Sequence, residues 1–176
     1  MRNASELMVQ YARYHRDRRN ITTHFVGVPL IVLGIGVLLA HPVVPVGGVA
    51  LTPAWLLWLV STAWYLTRGK PLLGAATVAV NALLFLLAHQ MSGGPVAHWL
   101  GWGLGAFVVG WVIQFIGHWY EGRKPAFVDD IVGLVVAPMF ITGEALFAFG
   151  FCRPLLDEIE AQAGPTVLRD LAHPLL

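Results

Sequence analysis

Apolar residues in this chain come in long blocks separated by short polar breaks. Five blocks stand out, at residues 25–44, 51–67, 71–91, 99–119 and 131–151. A helix that crosses a bilayer needs about 20 residues, within a range of about 17–25. The spacing therefore predicts an all-α, polytopic membrane helical bundle of about five segments. The second block is at the short end of that range. The first is broken by Pro29 near its entrance and by His41-Pro42 near its exit. The fifth carries Pro138, Gly143 and Glu144, which predicts either a kinked span or a re-entrant pair of half-helices. Ahead of the blocks, residues 5–18 read as a short amphipathic helix. Ser5 is placed to cap it, with Leu7, Met8, Tyr11, Tyr14 and His15 along one side. Asn20 is placed to cap a new helix, and a bend there decides the geometry of two histidines. On one unbroken helix, His15 and His24 would face opposite ways at about 100° per residue. A bend lets them converge. The expected organisation is one integral membrane domain, residues 1–155, followed by a polar tail, residues 156–176.

Composition agrees with this pattern. Hydrophobic residues make up 57% of the 176-residue chain and charged residues 12%. A soluble domain carries about 25% charge, so a water-facing shell around this much apolar material cannot be built. The net charge of +1 excludes a broad basic surface, and no nucleic-acid partner is expected. Cys152 is the only cysteine, which excludes an intrachain disulfide and a thiolate cluster. The first 24 residues are polar and the run that follows is long, a pattern unlike a cleavable signal peptide.

Lys and Arg are unevenly distributed between the loops. Arg68 and Lys70 lie between the second and third blocks, and Arg123 and Lys124 between the fourth and fifth, whereas 45–50 and 92–98 carry none. The positive-inside rule then places the N-terminus, the 68–70 loop and the 121–130 loop on the cytoplasmic side. With that topology His15, His24 and His118 meet at one membrane surface. Gln114, His118 and Glu121 share one face of the fourth block at i, i+4 and i+7. Neutral imidazoles with a carboxylate suit Fe(II), Zn or Mn. The plainer reading makes these histidines, and Arg13, Arg16, Arg18, Arg19, Arg123 and Lys124, ordinary interface groups facing lipid headgroups. His41, His89 and His98 map to the far side, and His173 to the tail. His89 stays a reserve ligand should its helix tilt. Glu144, inside an apolar block, needs a partner or a cavity. Glycines 101, 103, 105, 110 and 117 would let helices approach closely.

Two blocks, "YARYHRDRRNITTHFVGVP" (Tyr11, His15, Asn20, His24, Gly27, Pro29) and "QFIGHWYEGRKPA" (Gln114, His118, Glu121, Pro125), give the chain a specific resemblance. It resembles the 2-hydroxy fatty acid dioxygenase family of phytosphingosine breakdown, from about residue 5 to 155. The resemblance implies an Fe2+ enzyme that uses O2 to shorten a 2-hydroxy fatty acid by one carbon without a 2-oxo acid. By the same resemblance the metal ligands are His15, His24 and His118, with His89 as a possible fourth. Tyr11 belongs to the same motif and is expected in the site. Arg16 or Arg123 is expected to hold the departing carboxylate, and Glu121 to act as an acceptor orienting His118. The composition and apolar loops suggest a bacterial inner (plasma) membrane protein with a cytoplasmic N-terminus and membrane lipids as neighbours. Two alternatives stay open. One is another metal-dependent lipid-modifying enzyme, such as a hydroxylase or zinc hydrolase; the other is a small carrier or scaffold without enzymatic activity.

Overall fold

The computed structural model describes residues 2–171, so His173 lies outside the described residues. The elements run α1 (Ala4–Ala12), α2 (Arg18–Leu38), β1 (Val44–Val46), β2 (Val49–Leu51), α3 (Pro53–Leu66), α4 (Pro71–Met91) and α5 (Val96–Glu121). A 3-10 turn (Ala126–Val128), α6 (Gly133–Ala148) and α7 (Arg153–Ala163) follow. The all-α expectation is met apart from a two-stranded antiparallel hairpin that turns through Gly47 and Gly48, both at positive φ.

Among the described residues three helices, α2, α4 and α5, are long and apolar enough to cross a membrane, or four spans if the bent pair α6–α7 counts as one. This is fewer than the five segments expected. At 14 residues α3 falls short of that length, yet it links the two ends of the bundle. It begins where the Ala54 N–H donates to the Leu39 carbonyl and is followed by Arg68, whose carbonyl accepts from the Ala4 N–H. The fifth block yields α6 alone, and the chain then bends by 114° into α7. The break follows from the sequence Gly150-Phe151-Cys152-Arg153-Pro154: Gly150 and Cys152 take positive φ, and proline starts α7. What composition suggested was a polar tail is amphipathic helix as far as Ala163, with Leu155 and Ile159 buried and α7 packed on α1.

The helix starts also differ from expectation. Asn3, not Ser5, caps α1, in a reciprocal capping box with Glu6. Nearly the whole of α1 is buried rather than one face, because α6 and α7 cover it. Asp17, not Asn20, caps α2, so the bend falls at residues 13–17, and Arg18 and Arg19 lie inside the first turn of α2.

The principal packing unit is α2 against α5. Gly27 and Gly34 on α2, and Gly103, Gly110 and Gly117 on α5, recur every seven residues, which keeps each set near one face. The helices run antiparallel with Gly27 against Gly110 and Gly34 against Gly103. A Cβ on Gly110 would lie 2.8 Å from the Gly27 carbonyl oxygen and 2.7 Å from Ile31 Cγ1. In lipid, where apolar burial drives little association, such backbone contact supplies the packing energy. Gly101 and Gly105 meet nothing within 4 Å, so close approach does not explain them. Both ends of the α6 segment return to the N-terminal region. Gln10 and Arg2 bond Asp130 before α6, and Arg16 pairs with Glu144 near its end.

Candidate metal centre

His15 sits on the bend between α1 and α2, His24 two turns into α2, and His118 in the last turn of α5. All three are buried, and each offers one ligand atom within 4.8 Å of the others. Donors about 2.1 Å from a shared ion are at most about 4.2 Å apart. The Nε2 atoms of His15 and His24 are 3.0 Å apart, already at ligand spacing.

Their tautomers can be assigned from chemistry. His15 Nδ1 lies 2.8 Å from the Tyr11 carbonyl oxygen, and His24 Nδ1 lies 2.8 Å from the Asn20 carbonyl oxygen. A carbonyl only accepts, so both Nδ1 atoms carry hydrogen and donate. Each neutral ring is then left with an Nε2 lone pair, and the two lone pairs point at one another. A shared cation relieves that repulsion. A proton serves poorly, since burial, then the neighbouring His24 and His118, and then Arg16 push the His15 pKa well below 6.5. His118 adds a buried Nδ1 with no hydrogen-bond partner among the described residues. Such backbone carbonyls behind the ring N–H groups are the usual support of metal-binding imidazoles. The donor set therefore fits a divalent ion that accepts nitrogen ligands.

Glu121 has a different position from the one expected. Its carboxylate accepts from the backbone N–H of Arg16 (3.0 and 3.1 Å) and Asp17 (2.7 Å) and from Asn20 Nδ2 (3.1 Å). It thus fastens the His15 bend to the end of α5, instead of orienting the His118 ring. Arg16 is committed as well. Its guanidinium donates to the carbonyls of Ala12, His15 and Gly164 and pairs with Glu144 at 3.4 Å, which also gives Glu144 its partner. Arg123 donates to the Arg13 carbonyl and lines a separate cleft with Arg13 and Arg169. Tyr11 stacks on His15 with ring centroids 4.0 Å apart, and burial raises the pKa of its hydroxyl.

His89 is not brought to the cluster. It stacks on Trp55 and reaches the Thr52 hydroxyl at 2.8 Å, at the hairpin end of the bundle. That end is level with Leu39, about 22 Å along α2 from His24. His41 and His98 are also at that end, beside Trp99 and Trp102.

Two features were given no role from sequence. The first is Gln114, buried one turn before His118, which together with His24 and His118 lines an apolar groove of about 200 Å3. Its i, i+4 relation to His118 was the available signal. The second is a C-terminal strap. Val167 N–H donates to the Arg16 carbonyl, Arg18 N–H to the Val167 carbonyl, and Arg169 N–H to the Asp17 carboxylate. Nothing local in residues 164–170 announces that long-range pairing.

Comparison with known proteins places this cluster in context. Residues 1–149 match a family model described as 2-hydroxy-palmitic acid dioxygenase Mpo1-like. The chain is 32% identical over 152 residues to the 2-hydroxy-palmitic acid dioxygenase MPO1 of Saccharomyces cerevisiae, covering 85% of this chain and 83% of that protein. No solved structure matches the chain.

Proposed function

The chain belongs to the Mpo1-like dioxygenase family, and from that premise we propose that it is an iron(II)-dependent dioxygenase converting a 2-hydroxy fatty acid to the acid one carbon shorter. The observation that carries the reading is the pair of Nε2 lone pairs 3.0 Å apart, backed by Nδ1 hydrogen bonds and joined by His118. His15, His24 and His118 would hold the ion. When bound, ferrous iron supplies activation of dioxygen and a Lewis-acidic anchor for the substrate's carboxylate and 2-hydroxyl.

The chain's own residues do the rest. Tyr11 and Asn20 carbonyls lock two imidazoles with Nε2 inward. Glu121 and Arg16 hold the His15 bend in place through its backbone. Tyr11 and Phe140 shield the His15 ring from water. Gln114, buried in the groove beside His24 and His118, is placed to hydrogen-bond the polar head of the substrate. Arg16 already has four partners, and Arg123 lines a cleft that does not include the three histidines, so Gln114 is the better placed of the three for that role. The reaction closes with dioxygen alone: a 2-hydroxy acid plus O2 gives the shorter acid, carbon dioxide and water. The C1–C2 bond breaks and no external reductant is required.

Turnover of 2-hydroxypalmitate by protein purified in detergent and loaded with Fe2+ tests this. The expected result is pentadecanoate formed with one O2 consumed per product, none without oxygen, and loss of at least about 100-fold in the His24→Ala variant. Pentadecanoate formed at an undiminished rate under nitrogen would overturn the reading, because this four-electron oxidation would then be drawing on an oxidant other than dioxygen.

A further inference from the structure

The groove beside the cluster has a shape that bears on substrate choice. Its walls are α2 from His24 to Ile35 and α5 from His118 to Phe107. Both stretches cover eleven residue steps, or about 16 Å of helix. Because α2 and α5 run antiparallel in glycine-to-glycine contact, the two stretches lie side by side over their whole length. One end is polar, formed by His24, His118 and Gln114, and the other is apolar, formed by Ile35 and Phe107. The third wall is the 3-10 turn and the first half of α6. While α5 packs along α2, α6 packs on α4, α1 and α2. The space between α5 and the turn is bridged by Trp111 and Phe127, whose rings meet edge to face at 5.0 Å. Outward of that bridge, Val128, Ile131 and Leu134 are exposed apolar residues, as a surface facing lipid requires.

We propose that this groove is an acyl-chain site entered sideways from the bilayer past Trp111 and Phe127, and that Ile35 and Phe107 at its far end set the preferred chain length. The proposal rests on the dioxygenase reading for the polar head of its ligand. The occupant it commits to is a fatty acid bearing a metal-binding head, because only such an amphiphile satisfies both ends at once. A phospholipid would have to bring a bulky headgroup to a cluster enclosed by Tyr11, Phe140 and the α1–α2 bend. Accommodation of each additional methylene in an apolar site changes selectivity by about 10-fold or more.

The test has two parts, and the first uses the unsubstituted protein without turnover. A 2-hydroxy fatty acid with a terminal diazirine is photolysed with the protein in nanodiscs, and the adduct is mapped by mass spectrometry. Labelling around Ile35 and Phe107, competed by unlabelled 2-hydroxypalmitate, is expected. In the second part, Phe107→Ala should raise the C18-to-C14 ratio of kcat/KM by about 10-fold, and Ile35→Trp should lower it by a similar factor. Competed labelling at Ile35 and Phe107 without turnover of any 2-hydroxy acid would sustain the groove and remove the dioxygenase reading. Turnover with labels confined to outer faces such as Leu56 and Leu59, displaced only by phospholipid, would overturn the groove and leave the enzyme standing. An unchanged chain-length ratio in both variants would overturn the ruler.

Discussion

At the scale of single residues, the Glu121 carboxylate ties the backbone of Arg16 and Asp17, and with it the bend that carries His15, to the end of α5. The three histidines were legible because loop charges placed them at one surface before any contact was known. Glu121 was legible as a site residue, since it follows His118 by one turn, but its partners were not. Its acceptors face backbone N–H groups 104 and 105 positions away, and a backbone N–H leaves no mark in sequence. Charge-assisted hydrogen bonds of this kind contribute about 1.5–3 kcal/mol each. Replacing Glu121 by Gln keeps the volume but removes the charge and turns one acceptor into a donor aimed at other donors. The expected outcome is bound iron reduced about 10- to 100-fold in affinity, with helical content by circular dichroism unchanged. Iron bound as tightly as in the unsubstituted protein would show that the bend keeps its shape without that carboxylate.

At the scale of elements, α4 is an instructive success, since its observed range of Pro71–Met91 coincides with the third apolar block. Proline at its start and a Gly-containing break after it fix both ends locally. The first block failed at both ends for the complementary reason. The helix begins before the block, with a polar first turn capped by Asp17, and ends at Leu38, after which the chain leads into the hairpin at Val44. The C-terminal strap was illegible altogether. It acts between elements: an isolated parallel bridge joins Asp17 to Val167 across the bend that carries His15. Asp17 is fully buried and binds both Arg19 and the Arg169 N–H, so the strap completes the shell around a buried charge. Ending the chain after Ala163 strips away the strap while leaving α7 and the glycine seam. The truncated protein is expected to remain folded, as judged by size-exclusion chromatography, and to release iron to a chelator at least about 10-fold faster. An unchanged release rate would mean that Glu121 and Arg16 hold the bend unaided.

At the scale of the whole molecule, the fifth apolar block decides where the C-terminus lies, and hydropathy could not decide it. The window of residues 131–151 is as apolar as a true span, because most of α6 from Val136 to Phe147 is buried in protein while Ile131, Leu134 and Val135 stay exposed. Its surroundings include α1, α4 and the start of α2. Both flanks meet the N-terminal region, Asp130 through Gln10 and Glu144 through Arg16, and the strap then pairs with residues 16–18. A chain that crossed the bilayer once between residues 131 and 151 would separate those partners by about 30 Å of hydrocarbon. Residues 13 and 157 are therefore expected on one side, and residue 46, beyond α2, on the other. Single cysteines test this in a Cys152→Ala background: Arg13→Cys, Asp157→Cys and Val46→Cys, each at an exposed position. With a membrane-impermeant maleimide on sealed inside-out vesicles, the first two should label together and the third only after permeabilisation. Labelling of residue 157 together with residue 46 would place α7 across the membrane from α1, and the strap, the Arg16–Glu144 pair and the shell around His15 would fall with it.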